Sequence, residues 1–231
     1  MKLLVILTLA LFSIKHTTQD DPLAGAWHWK KGTQEIVWIF TDGYSVSGVY
    51  DKSARKFVHT WGGPYTVEND VLTITTEFNT TDSTMVGQKK KMGIRFSGAN
   101  MRLEHDTDFW TRLDKGTGPL AGNWHITGRL QDGKLVEIQR TGTRKTLKLL
   151  SGSRFQWVAI DPAVKGFYGT GGGTYTFANG KYTENIEFFS RDSTRVGASL
   201  TFDGKVEGGA WMHSGLNSRG EPLNEVWKRG K

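Results

Sequence analysis

The chain writes one phrase twice, as PLAGAWH at residues 22–28 and as PLAGNWH at 119–125. Sliding the sequence by 110 positions extends the match, laying WGGPYT (61–66) on GGGTYT (171–176) and TEFNTTDSTMVG (76–87) on IEFFSRDSTRVG (186–197). Asp51 falls on Asp161 and Phe57 on Phe167 in the same register, and Trp110-Thr-Arg112 resembles Trp227-Lys-Arg229 near the two ends. A period near a hundred residues exceeds the roughly 20–50 of a solenoid repeat and fits two complete small domains. The opening phrases are only 97 positions apart, so the second copy carries about thirteen extra residues within QDGKLVEIQRTGTRKTLKL (131–149). The expected units are residues 22–114 and 119–230, joined through LDKGTG (113–118).

Both copies consist of short runs rich in Val, Ile, Thr and aromatic residues, punctuated by Gly, Asn-Gly and Asp-Gly. EIVWIF, DVLTITTEF, GIRFSG and MRLEH are examples from the first copy, and RFQWVAI, GTYTF, YTENIEFF and ASLTF from the second. This composition predicts strands, and no amphipathic helix of ten or more residues is evident after residue 21. Regular strands with tight turns argue for antiparallel sandwiches or up-and-down barrels. Asn179-Gly180 predicts a two-residue hairpin and Asp203-Gly204 a second one.

Gly25-Ala-Trp27 and Gly122-Asn-Trp124 resemble the G-x-W that opens the first strand of lipocalin-type barrels. The resemblance covers residues 22–230, notably GTGGGTYTFANGKYTENIEFFSRDSTRVGASLTF, and is to secreted lipocalin-like (calycin-type) bacterial proteins, supplying a fold but no activity. It implies an all-β chain of two tandem antiparallel lipocalin-like β-barrels produced by internal duplication. It also implies that Arg112 and Arg229 cross the two barrel bases and pack on Trp27 and Trp124, a cation over an indole face. Each PLAG-x-W would then start one barrel and close its floor.

The opening MKLLVILTLALFSIKHTTQDD sets Lys2 ahead of an apolar run from Leu3 to Ile14, too short to span a bilayer and typical of a secretory signal. Residues 1–19 are therefore expected to be a signal peptide and the mature chain to be secreted or periplasmic. No later run is long enough for a second span, so no stable membrane insertion is expected after signal removal. Loss of Lys2 and Lys15 lowers the formal charge from +7 to +5, a modest excess suited to solubility, and nucleic acid is not an expected partner. Lys89-Lys90-Lys91 reads as a solvated turn or strand face. The absence of cysteine excludes disulfides, thiol nucleophiles and zinc–thiolate sites, leaving packing alone to hold an exported fold.

Motifs for cofactors are also absent. The six histidines show neither H-x-H nor H-E-x-x-H, so no metal is expected. There is no G-x-S-x-G elbow. The run Gly169-Thr-Gly171-Gly172-Gly173 lacks a following Lys-Ser/Thr and precedes a strand, which suits a bulge or a close backbone approach rather than a phosphate loop. No cofactor is expected.

Differences between the copies indicate where a site could lie. In DVLTITTEF the alternation places Leu72, Ile74 and Phe78 on one face, matched in the second copy by Tyr182, Glu184 and Phe188. An inward carboxylate needs a partner or a ligand, because an unpaired buried charge costs several kcal/mol. Arg154, which matches Tyr44 of the first copy, is the candidate partner. In the last hairpin Trp211 and His213 share one parity, and Leu223, Glu225 and Trp227 can meet them across the loop. Arg154, Trp157, Tyr182, Glu184, Trp211, His213 and Glu225 thus form the candidate ligand set of the second barrel: aromatic walls with a few convergent polar groups. Glu104, His105 and Asp108 make a poorer set in the first copy. Glu77 and Glu187 occupy equivalent positions in both copies, which favours a shared structural job.

The leading functional expectation is an exported protein binding a small apolar or amphipathic molecule in the second barrel. Two alternatives use the same fold. One is an enzyme, isomerase, lyase or hydrolase on a sugar or lipid, with His213 or Glu184 as base and Glu225 as its partner. The other is a glycan-binding module with exposed Trp and Tyr. The sequence does not fix the oligomeric state.

Overall fold

A computed structural model describes residues 21–104, 106–131, 134–139 and 142–230; the expected signal peptide and His105 lie outside the described residues. In the first copy the strands are β1 (Gly25–Lys31), β2 (Gln34–Thr41), β3 (Tyr44–Asp51), β4 (Lys56–Glu68), β5 (Val71–Thr75), β6 (Phe78–Asn79), β7 (Lys89–Ser97), β8 (Asn100–Leu103) and β9 (Trp110–Asp114). The second copy contributes β10 (Gly122–Gln131), β11 (Lys134–Glu137), β12 (Lys145–Leu150), β13 (Arg154–Asp161), β14 (Gly166–Ala178), β15 (Lys181–Phe189), β16 (Ser199–Glu207), β17 (Ala210–Leu216) and β18 (Pro222–Arg229). Each copy is a closed antiparallel barrel of eight strands in up-and-down order. The first closes through β1–β9 and the second through β10–β18. The split pair β5 and β6 occupies the place of the single strand β15, and β11 extends only the far end of β10.

Closure pairs the edges of the eight barrel strands and leaves the short β11 with a free side among the described residues, which suits a chain with no disulfide to hold it. The floors are built as the G-x-W phrase implies. Trp27 donates its indole N–H to Leu23 O at 2.9 Å and Trp124 to Leu120 O at 2.8 Å. The Arg112 guanidinium lies 4.1 Å from the Trp27 ring centre and that of Arg229 lies 5.2 Å from Trp124. Both also reach main-chain oxygens of the opening phrase, Arg112 at Ala24 (2.6 Å) and Arg229 at Ala121 (2.7 Å). The duplicated phrase therefore has a duplicated job, closing one end of each barrel.

The two barrels meet through their outer faces. Val37, Ile39, Val46 and Tyr50 from β2 and β3 pack against Leu147, Leu149, Val158 and Ile160 from β12 and β13. Phe78 and Phe188 belong to this seam and not to the interiors where simple alternation placed them. The reason lies in a bulge: Gly172 pairs with Phe188 and Gly173 with Ile186, so Glu187 is an extra residue and the parity of β15 inverts after it. A Cβ on Gly173 would lie 2.0 Å from Asn185 O, which is why the glycine run stands here. Glu77 and Glu187 share the structural job their equivalence suggested, each bridging the seam. Glu77 accepts from Tyr44 (2.7 Å) and pairs with Lys145 of the second barrel (2.6 Å). Glu187 accepts from Tyr50 (2.7 Å) and pairs with Lys52 of the first barrel (2.8 Å).

The predicted turns resolve differently. Asn179-Gly180 makes the hairpin between β14 and β15, both residues having positive φ (52° and 72°). Asp203-Gly204 lies inside β16 instead, and the hairpin comes later, at Gly208-Gly209. Gly204 is needed for space: a Cβ there would sit 2.9 Å from the Phe177 ring. Asp82 and Asp192 each accept from the backbone N–H two residues on, at 2.9 and 3.1 Å, so the repeated Asp-Ser-Thr makes the same local turn in both copies. Lys89, Lys90 and Lys91 lie exposed on β7.

Candidate functional site

The two interiors can be compared position by position because the ladders keep the same register. Trp27 faces Trp38 across β1 and β2, whereas Trp124 faces Lys148 across β10 and β12. Trp38 next faces Ser47 and Lys148 faces Trp157. Ser47 then faces Trp61, and Trp157 faces Gly171. Tyr65 faces Ile74 in the first barrel and Tyr175 faces Glu184 in the second. On the far side, Leu103 opposite Ile94 becomes His213 opposite Gly204. One layer that is Trp38, Ile74 and Leu103 in the first barrel is thus Lys148, Glu184 and His213 in the second.

In the first barrel that layer is filled by packed aromatic and aliphatic side chains. Trp38 contacts Phe40, Trp61 and Trp110 at ring-centre distances of 4.8, 5.4 and 5.3 Å, with Leu72, Ile74, Ile94 and Met101 around them. In the second barrel Lys148 and Glu184 form an ion pair at 2.7 Å although they are only 5% and 6% exposed. The Lys148 ammonium also lies 5.3–5.5 Å from the ring centres of Tyr182, Trp211 and Trp227. Tyr182 donates to Glu184 at 2.8 Å, and burial followed by the adjacent carboxylate pushes the Tyr182 hydroxyl well above its ordinary range. A cation with an anion and three aromatic faces around it has the partners a buried charge requires.

Above the ion pair the barrel is open. A cavity of about 640 Å³ runs from Lys148, Glu184, His213 and Glu225 past Trp157, Ile186, Phe189, Leu200, Phe202 and Trp227 to a rim that includes Arg129, Arg144 and Arg195. That volume falls in the roughly 300–1,000 Å³ range of small-molecule sites. Two substitutions make the room. Gly171 takes the place of Trp61, and a Cβ on it would already meet the Trp157 indole nitrogen at 2.7 Å. Lys148 takes the place of Trp38. The extra residues of the second copy form β11 and the segment after it, and Ile138, Gln139, Gly142 and Arg144 from that insertion line the mouth.

His213 is 2% exposed, packed at 4.1 Å on Phe202 and 5.1 Å on Trp211. Neither ring nitrogen has a hydrogen-bond partner among the described residues; Nδ1 is 3.8 Å from Glu225 Oε2, beyond hydrogen-bond reach. Burial holds the imidazole below its ordinary value of 6.5, with Lys148 adding to that and Glu225 and Glu184 opposing it. Burial pushes Glu225 up, but His213 and Lys148 outweigh it and leave the carboxyl below 4.5. Glu225 also accepts the Trp227 indole N–H at 3.1 Å.

Of the seven residues singled out from the sequence, Trp157, Glu184, His213 and Glu225 line the cavity, while Tyr182 and Trp211 lie fully buried beneath it in the aromatic cluster. Arg154 departs from expectation. It is on the outward parity of β13, 2.5 Å from Glu187 in the inter-barrel seam, so it cannot neutralise Glu184. Phe155 and Trp157 take the inward parity and leave Arg154 and Gln156 to the seam, where Gln156 donates to Thr60 of the first barrel at 2.9 Å. Lys148 is the residue the sequence reading missed. In the first barrel Glu104 and Asp108 are exposed and line no part of this cavity, and His105 lies outside the described residues. Among the described residues, no three metal-ligating side chains converge and no helix is long and apolar enough to cross a membrane. Against known proteins, no family model matches the chain and no curated protein matches its sequence.

Proposed function

We propose that the chain is an exported lipocalin-like protein whose second barrel holds a small amphipathic molecule, with the first barrel as its packed support. One observation carries this reading: the same layer of the same fold is filled in one copy and, in the other, open to a cavity of about 640 Å³ with aromatic walls and a polar floor. Apolar walls with few convergent polar groups are what a small-ligand site requires. The two Trp–Arg floors support kinship with lipocalin-type barrels, and the apolar run after Lys2 supports export. The proposed ligand set is Lys148, Trp157, Glu184, His213, Glu225 and Trp227; Arg154 is excluded by its place in the seam.

The acid–base alternative draws less support, since Glu184 is engaged by both Lys148 and Tyr182. The glycan-module alternative calls for an exposed strip of Trp and Tyr, and the large exposed aromatics among the described residues are Phe96 and Phe109. Native mass spectrometry of the protein purified from its own host, beside a Glu184→Ala/His213→Ala double variant, tests the proposal. A co-purifying small molecule present in the parent and lost in the variant is the expected result. Bare protein in both spectra, with no apolar fluorescent probe taken up by the parent, would overturn it.

A further inference from the structure

The cavity is polar at both ends and apolar between them. At the mouth stand Arg129, Arg144 and Arg195. Arg144 stacks at 4.2 Å on Tyr168 and Arg195 pairs with Asp192 at 3.0 Å. Arg129 acts at a distance on Glu225, and neither it nor Arg144 forms an ion pair among the described residues. A cluster of guanidiniums around an apolar mouth favours an anionic group there, held by bidentate hydrogen bonds.

The floor has the opposite character. Lys148 and Glu184 cancel each other at 2.7 Å, which leaves Glu225 as the net charge beside His213. His213 is almost wholly buried, yet both its nitrogens lack hydrogen-bond partners among the described residues. With one nitrogen turned to Glu225 the other is an acceptor, and an unsatisfied buried acceptor costs more than an apolar side chain in its place. The first barrel has Leu103 at this position, so the fold does not need the imidazole.

Accepting that the second barrel holds a ligand, we infer that this ligand is a two-headed amphiphile: an acid whose carboxylate or similar anion pairs with Arg129 and Arg144 at the rim, and whose apolar body ends in a hydrogen-bond donor, a hydroxyl in the simplest case, received by His213. A simple fatty acid would bury its methyl end against the orphaned imidazole. The doubly substituted molecule satisfies both ends at once.

The test is a calorimetric comparison of saturated straight-chain acids with their terminal hydroxy derivatives of the same length, across a series of lengths. At the length that reaches the floor, the hydroxy acid binds tighter than its parent by about tenfold, one good hydrogen bond to a group otherwise left unpaired. His213→Leu, the first barrel's own residue, abolishes that preference without abolishing binding of the plain acid. His213→Gln retains part of it, and serves equally if the leucine variant fails to fold. Arg129→Gln/Arg144→Gln weakens both acids and removes their advantage over the corresponding alcohols. If the plain acids bind better at every length, or the alcohols bind as well as the acids, the two-headed ligand is wrong while the binding cavity stands. If neither these molecules nor a neutral apolar probe binds, the cavity itself is not a ligand site and both readings fall.

Discussion

The first barrel carries Trp38, Ile74 and Leu103 where the second carries Lys148, Glu184 and His213, on one backbone register. The first solution follows the usual rule of a close-packed apolar interior. The second spends burial on an ion pair, which seldom improves on a hydrophobic replacement of similar volume. Stability alone therefore gives no reason for the second set. The glycine at position 171 points the same way: the first barrel fills that space with Trp61, whereas the second moves its indole to the neighbouring strand, as Trp157, and opens the middle. Duplication has kept the floor, the seam carboxylates and the Asp-Ser-Thr turns in both copies, and the copies diverge where the cavity is.

The largest effect is expected at the Lys148–Glu184 ion pair. Glu184→Ile gives the second barrel the first barrel's residue but strands a buried ammonium, and should cost about 3–5 kcal/mol in urea unfolding. Adding Lys148→Trp removes the stranded charge and gives two of the layer's three positions the first barrel's residues, and should recover most of that loss while narrowing the cavity. A harmless single variant would mean that Lys148 reaches water and that the layer is not dry.

A smaller effect is expected at the wall. Gly171→Ala puts a methyl group where the Trp157 indole nitrogen would be 2.7 Å away. The overpacking should cost about 1–3 kcal/mol and displace Trp157, read as a change in its near-ultraviolet signal. An unchanged melting curve would show that Trp157 is loosely held.

The gentlest probe is pH. Burial keeps the folded pKa of His213 below 6.5, so between the two values the unfolded chain binds a proton that the folded chain refuses. Stability is then complete above about 6.5 and declines on acidification from there down to the folded value, by at most about 1.4 kcal/mol per pH unit. His213→Leu should flatten that segment, leaving a residual slope from His59, which burial also holds low. Glu225 and Glu187 lie below 4.5 in the fold, so their stabilisation is present above 4.5 and is lost only at lower pH. A variant that keeps the full slope just below 6.5 would show that His213 is protonated in the fold.

Much of the fold was legible because the repeat tied strand order, floor and turns to positions that could be read twice. The inward places of Glu184 and His213 followed from alternation. Alternation failed at Phe78 and Phe188, because one bulged residue inverts parity and leaves little mark on a single strand's composition. The assignment of Arg154 as the partner of Glu184 failed for a related reason: β13 is apolar on both faces, inward at Phe155 and Trp157 and seam-facing at Val158 and Ile160, so its pattern does not distinguish interior from seam. Asp203-Gly204 has the local chemistry of a turn, whereas Gly204 makes room for Phe177 inside β16. Lys148 carried a usable signal, since the 110-residue register lays it on Trp38. The thirteen-residue insertion was visible in sequence, but its role as the cavity rim depends on where β11 folds back.

The second barrel holds a cavity where the first is filled with packed side chains, and the nine tryptophans report on both at once. Trp27, Trp29, Trp38, Trp61 and Trp110 lie in the first barrel and Trp124, Trp157, Trp211 and Trp227 in the second. The decisive measurement is a titration of the nitrogen-15-labelled protein with an apolar acid, following the indole N–H cross-peaks. The account predicts saturable shifts of Trp157 and Trp227, which line the cavity, with the five first-barrel indoles unmoved. Shifts of Trp38 and Trp61 to the same extent, or none in either barrel at saturating acid, would contradict it.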